Sequence, residues 1–95
     1  MSIKDKVHCS DSIEFSKTLP IEVDSIVTDP PYGINYQGNE WDQYKDCISF
    51  DPETWKNISI PLKPGGYLII FGASKTFHRL VCAVEDSGLL IRDQL

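Results

Sequence analysis

One short segment combines residue types that are suited to chemistry, namely a carboxylate, two rigid prolines, an aromatic ring and a glycine: Asp29-Pro30-Pro31-Tyr32-Gly33. The apolar segment before it, residues 23–28, has the pattern of a buried strand. Open α/β sheets place their ligands in the crevice beyond the carboxyl ends of the strands. Because Asp29 stands where the strand stops, we predict that this segment is a catalytic loop.

The elements that must position this loop alternate between strands and helices. Pro20 ends the first helix, Pro52 suits the first turn of the second, and Ser74 is a candidate cap for the third. Such alternation predicts an α/β sheet with right-handed crossovers. The expected strands cover residues 3–8, 23–28, 67–71 and 89–95, and the expected helices cover residues 11–19, 52–60 and 74–88.

Two further segments refine this picture. Residues 67–71 form a continuous apolar run, which is typical of a parallel strand covered on both faces, and residues 63–66 are strong turn formers. Residues 33–51 are polar and aromatic without clear periodicity, so we expect a substrate-side loop. In that loop, Tyr36 and Trp41 either stack on nucleic acid or attach the loop to the domain.

Composition limits the class of protein. The 95 residues carry a formal charge of −5 and are 41% hydrophobic, which is typical of a globular chain. Lysine and arginine are scattered, so the chain alone does not resemble a duplex-binding surface. No apolar run approaches the roughly 20 residues needed to span a bilayer, and no signal segment precedes the domain. We expect no contact with a membrane.

The cysteines predict a reducing compartment and no metal site. Cys9, Cys47 and Cys82 are odd in number and widely spaced, which argues against a disulfide framework and favours the cytoplasm. His78 and Cys82 lie one helical turn apart, but structural zinc usually takes four ligands. We therefore expect these two side chains to serve packing.

The catalytic-loop segment, together with the segment from Leu62 to Gly72, resembles the DNA amino-methyltransferases that modify adenine or cytosine. The resemblance covers nearly the whole chain and implies a Rossmann-like sheet that uses S-adenosylmethionine as methyl donor. Asp at the first motif position suggests adenine, and cytosine-N4 is the alternative. A motif so near the N-terminus is similar to the permuted group, in which the glycine-rich cofactor motif comes later in the chain.

The resemblance also implies roles for individual residues. The Asp29 carboxylate and the Pro30 carbonyl would each accept one hydrogen of the target amino group, which restores nucleophilic character to its nitrogen. Pro31 would help to fix the direction of the backbone. Tyr32 would stack on a base flipped out of the duplex. The implied cofactor contacts come from three residues: Asp11, Asp29 and Phe71.

Each of these assignments has a purely structural alternative. Asp-Pro-Pro after a strand can be a simple turn. Asp11 with Glu14 can be a helix capping box, and Ser10 replaces the glycine usual before that acidic residue in the family. Phe71 can be a core residue at the end of a strand.

The expected domain is incomplete. No Gly-x-Gly motif follows a strand, and no segment remains for target recognition, so residues 1–95 are predicted to be the catalytic-loop half of a methyltransferase. We expect a site-specific adenine methyltransferase of the restriction–modification type that is inactive in isolation and active only in a longer chain or with a complementing C-terminal half. The alternatives are a cytosine-N4 enzyme fragment, an enzyme acting on RNA or protein, and a non-catalytic relic that binds another protein.

Overall fold

The computed structural model describes residues 4–34, 38 and 47–95. It has an α/β arrangement in which the three predicted α-helices are present. Two of the four predicted strands are also present, and they pair in parallel. In chain order the elements are α1 (Ser12–Thr18), β1 (Val23–Thr28), a 3₁₀ helix (Ile48–Phe50), α2 (Pro52–Ile58), β2 (Leu62–Ile70) and α3 (Phe77–Asp86).

The helices begin where the sequence offers caps. The Asp11 carboxylate accepts a hydrogen bond of 3.0 Å from the Glu14 amide at the start of α1. Asp51 does the same for the Glu53 amide at the start of α2, with Pro52 in the first turn. Helix α3 differs, because Thr76 occupies the cap position without a side-chain capping bond. The expected cap at Ser74 is therefore wrong.

The two strands pair in parallel with one irregularity. Val23 lies opposite Leu62, whereas Ser25 already lies opposite Tyr67, so residues 63–66 bulge out of the ladder. Gly65 adopts φ +81°, which a residue with a side chain rarely tolerates. Lys63 Nζ lies 3.0 Å from Asp24 Oδ1 across the bulge. The turn formers noted in the sequence thus allow the bulge inside β2.

Only one face of the sheet is covered within the described part of the chain. Ile26, Leu68 and Ile70 pack against the core, whereas Val27 is 62% exposed and Ile69 47% exposed. The side chains alternate between the faces, as the pleat requires. The expectation of a strand covered on both faces is wrong for these residues.

Helices α2 and α3 supply the core. Trp55, Ile58, Leu80, Ala83 and Val84 are buried together. The Trp55 indole is 1% exposed and donates a hydrogen bond of 2.8 Å to the Ser49 carbonyl. This bond ties α2 to the 3₁₀ helix, and Ser49 of the 3₁₀ helix bonds to the predicted catalytic loop.

The first and last predicted strands are not present among the described residues. Residues 4–9 form a turn and irregular backbone with Val7 fully exposed, and Ile3 lies outside the described residues. Residues 89–95 are irregular, with Leu89 against the core and Leu90 exposed. A strand needs a hydrogen-bonded neighbour, and the described sheet pairs only β1 with β2. Apolar patterning alone overestimated the sheet.

Candidate functional site

Asp29 and Phe71 directly follow the carboxyl ends of the two paired strands. Thr28 and Ile70 are partners at the end of the ladder, and the Phe71 amide donates to the Thr28 carbonyl at 3.0 Å. The Asp29 side chain is exposed, and Phe71 is 54% exposed. The structure thus places a solvent-accessible carboxylate beside an accessible aromatic ring at the carboxyl end of two parallel strands, the region where α/β folds bind ligands. This exposure argues against a core role for Phe71.

The loop that follows β1 is fastened by its backbone carbonyls. The Pro31 carbonyl accepts a hydrogen bond of 2.6 Å from Ser49 Oγ and a longer one of 3.5 Å from Cys47 Sγ. The Tyr32 carbonyl accepts a bond of 2.6 Å from Thr76 Oγ1. Ser49 and Thr76 are both buried. Two elements that are distant in sequence therefore hold the loop in place.

Gly33 completes the attachment of the loop. Its φ of +72° lies in the left-handed region, and a Cβ atom there would stand 2.6 Å from the Phe50 ring. The position accepts only glycine without movement of its neighbours. The ring of Phe50 thus packs directly onto the end of the motif.

Within the motif, the Tyr32 hydroxyl donates a hydrogen bond of 2.6 Å to Asp29 Oδ1. This bond holds the pKa of the Tyr32 phenol above its usual value, because it stabilises the protonated phenol beside a negative charge. The ion pairs Lys17–Glu14, Lys56–Glu53 and Lys63–Asp24 lie elsewhere in the chain. The Asp29 carboxylate is therefore held by a neutral donor while remaining open to solvent.

Three consecutive carbonyls of the loop differ in their partners. Those of Pro31 and Tyr32 are engaged, whereas none of the described residues donates to the Pro30 carbonyl. A carboxylate and a nearby carbonyl are both pure acceptors. Such a pair matches a ligand group that carries two hydrogens, such as an amino group.

A shallow depression lies behind the motif. It is lined by parts of the loop, the 3₁₀ helix and the segment between β2 and α3, including Pro31, Tyr32, Phe50, Gly72 and Thr76. Asp29 is not among the lining residues. The depression therefore reflects packing under the loop rather than a ligand cavity at the carboxylate.

The other residues singled out from the sequence have three different outcomes. The Asp11 side chain caps α1, as its structural alternative expected, whereas the Glu14 carboxylate lies 3.6 Å from Lys17 Nζ instead of completing a capping box. Tyr36 and Trp41 lie outside the described residues. His78 and Cys82 are exposed on α3, so the expectation that they serve packing is wrong.

Ser49 and Thr76 were not singled out from the sequence. The residues next to a serine or threonine do not indicate whether its hydroxyl bonds to a distant carbonyl. The sequence offered only the location of these residues, since Thr76 follows β2 closely and Ser49 precedes α2. Neither position identifies a bonding partner.

Within residues 4–34, 38 and 47–95, no group of three or more His, Cys, Asp or Glu side chains is arranged to hold a metal ion. Of the helices described, none is long and apolar enough to cross a membrane.

A family model described as DNA methylase (N6_N4_Mtase) matches residues 23–95, about three quarters of the chain. The chain belongs to this DNA methylase family. The matched range begins with β1 and includes the whole predicted catalytic loop and Phe71, whereas Asp11 lies before it. Comparison with curated proteins and with solved structures found no significant match. The described residues of this family member form a parallel pair of strands with three α-helices.

Proposed function

We propose that the chain is the catalytic-loop portion of a site-specific DNA adenine methyltransferase of the permuted group. Family membership supports transfer of a methyl group to DNA. The observation that carries the proposal is the pair of acceptors at the end of β1, namely the exposed Asp29 carboxylate and the Pro30 carbonyl. Asp at the first motif position favours adenine over cytosine.

The chemistry required of this site follows from its target. An amino group on an aromatic base is a poor nucleophile because its lone pair is delocalised into the ring. Two acceptors that bind its hydrogens favour a pyramidal nitrogen, and the ionised acceptor strengthens its bond as positive charge develops there. Asp29 and Pro30 would supply those acceptors, and Tyr32 would stack on the extruded base.

The methyl donor is expected to be S-adenosylmethionine, which supplies an activated methyl group when bound. The residues present fit part of such a site. Asp29 and Phe71 lie side by side at the strand ends, where a carboxylate and an exposed ring can contact a cationic ligand with an apolar body. Asp11 fits less well, because its carboxylate already caps α1. We therefore assign contact with the methyl donor to Asp29 and Phe71 in preference to Asp11.

We also propose that full activity needs a second set of elements, such as a complementing half. Val27, Tyr67 and Ile69 expose apolar surface on the open face of a two-stranded sheet, and such small sheets are only marginally stable alone. Binding to duplex DNA would then use basic surface outside this acidic chain. The three free cysteines are consistent with function in the cytoplasm.

The open apolar face also favours a second candidate, a non-catalytic module that binds another protein. One assay separates the two. The chain is incubated with labelled S-adenosylmethionine and duplex DNA, both alone and with a candidate C-terminal half. Methyl incorporation supports the enzyme, whereas the absence of cofactor binding under every condition supports the module. Competition by adenine-containing or cytosine-containing duplexes, by RNA and by protein identifies the methyl acceptor.

Asp29→Ala tests the acceptor directly. We expect incorporation to fall on the order of a hundredfold or more, since a preorganised polar partner of the reacting group is lost. Asp24→Ala is the matched control, because it removes an exposed aspartate from β1, the strand that leads to Asp29, and this aspartate forms an ion pair with Lys63 near the bulge. Equal activity in the two variants would exclude the proposed role of Asp29.

A further inference from the structure

The Tyr32 hydroxyl bonds to the carboxylate that the proposed function requires as an acceptor. The O–H···O distance is 2.6 Å, within the range of charge-assisted bonds. The ring is otherwise expected only to stack on the base. The hydroxyl therefore has a contact that stacking does not explain.

The prolines explain why this bond forms. An aspartate in a turn usually accepts a hydrogen bond from the backbone amide two residues later. Here the next two residues are Pro30 and Pro31, which have no amide hydrogen. The hydroxyl of Tyr32 takes the place of those missing local donors.

The backbone around Tyr32 is held by hydrogen bonds other than the one between Tyr32 and Asp29. Ser49 binds the Pro31 carbonyl and Thr76 binds the Tyr32 carbonyl, each at 2.6 Å and from a buried position. With the backbone fixed, the position of the hydroxyl depends mainly on the two side-chain torsions of Tyr32. A hydroxyl fixed in this way can in turn restrict rotation of the exposed carboxylate.

We infer that the Tyr32 hydroxyl is a positioning group that orients the Asp29 carboxylate for the target amino group. It occupies Oδ1, which leaves Oδ2 and the Pro30 carbonyl as the acceptors not engaged by the described residues. The bond uses only the oxygen at the edge of the ring, so the bond itself does not prevent a base from stacking on the ring. This inference gives Tyr32 two separable roles and rests on the proposed function for its meaning in catalysis.

Nuclear magnetic resonance of the isotope-labelled chain tests the orientation without any need for activity. Three-bond couplings of the Asp29 β-protons should report one dominant side-chain rotamer in the unmodified chain and averaging over rotamers in Tyr32→Phe. Tyr67→Phe is the matched control, since it removes a hydroxyl from an exposed tyrosine on the open sheet face. Unchanged Asp29 couplings in Tyr32→Phe overturn the inference.

A second measurement covers the case in which Tyr32→Phe does not fold. In the unmodified chain the Tyr32 ring carbon resonance should titrate above the ordinary range of tyrosine, because the phenol donates to a carboxylate. In Asp29→Asn the titration should move back toward that range. A titration that is the same in both proteins shows that the bond is absent in solution and overturns the inference.

Activity separates failure of this inference from failure of the proposed function. Loss of methyl transfer in Asp29→Ala supports the proposed function whatever the tyrosine does. Given that loss, Tyr32→Phe should lower kcat by about tenfold to a hundredfold, as misoriented catalytic groups do, while KM for DNA is nearly unchanged because the ring remains. A Tyr32→Phe enzyme with unchanged kcat overturns the positioning role alone.

Discussion

The hydrogen bond from Thr76 to the Tyr32 carbonyl provides a quantitative test of how the catalytic loop is held. Thr76→Val keeps the size and branching of the side chain and replaces its hydroxyl with a methyl group. Thr76 is 3% exposed and its bond is 2.6 Å long. The substitution therefore removes a close donor from the Tyr32 carbonyl at a position where water has little access. Leaving a buried acceptor unsatisfied costs about 1–3 kcal/mol.

The lower half of that range applies here. The bond is only partly buried, because Tyr32 itself is half-buried and water can replace part of what is lost. We therefore expect the free energy of unfolding to fall by about 1–2 kcal/mol. In a domain of this size each kcal/mol corresponds to a decrease in Tm of about 4–8 °C.

Urea denaturation followed by tryptophan fluorescence measures this change, since Trp55 is buried in the core. The denaturation midpoint should fall while the slope m stays constant. Thr18→Val is the matched control, because it removes an exposed threonine hydroxyl that bonds the Glu14 carbonyl at 3.0 Å within α1. The control should change stability by less than about 0.5 kcal/mol. If the two variants are equally stable, the bond to Tyr32 does not hold the loop.

Two further predictions concern the same motif. Gly33→Ala should lower the free energy of unfolding by about 2–3 kcal/mol through an unfavourable φ and overpacking against Phe50. Gly38→Ala is the control, because Gly38 has a similar positive φ of +73° but stands in open space, and it should lower the free energy of unfolding by only about 1 kcal/mol. Thermal unfolding measures both variants, and equal losses of stability would contradict the contact with Phe50. The raised pKa of Tyr32 predicts a contribution to stability that is complete below the ordinary phenol pKa of 10.0 and is lost as pH rises through the higher folded value. Denaturation midpoints measured from pH 8 upward should therefore fall more steeply for the unmodified chain than for Tyr32→Phe, and parallel curves would contradict the bond to Asp29.

The sequence predicted the features that depend on neighbouring residues. The cap at Asp11, Pro52 in the first turn of α2 and the parallel strand pair are observed. The turn formers at residues 63–66 are also observed, as a bulge inside β2. The catalytic-loop motif stands at the end of β1, as expected. Family membership, which the motif suggested, is confirmed by the family model.

Other predictions failed because their outcome depends on distant partners. Residues 89–95 have the apolar pattern of a strand but no neighbour in the described sheet, and residues 67–71 were expected to be covered on both faces. An apolar pattern indicates which side chains favour burial. It does not indicate which surfaces are available to bury them.

The chemistry proposed for the site thus rests on five consecutive residues, whereas the geometry of those residues was decided by the tertiary structure. Ser49 lies 18 residues from the carbonyl it binds, and Thr76 lies 44 residues from its own. Hydrogen bonds across such separations form only when the sheet and helices bring the segments together, so local sequence could not reveal them. The bond between Tyr32 and Asp29 spans three positions, yet its form also depends on a backbone that these distant hydroxyls hold in place.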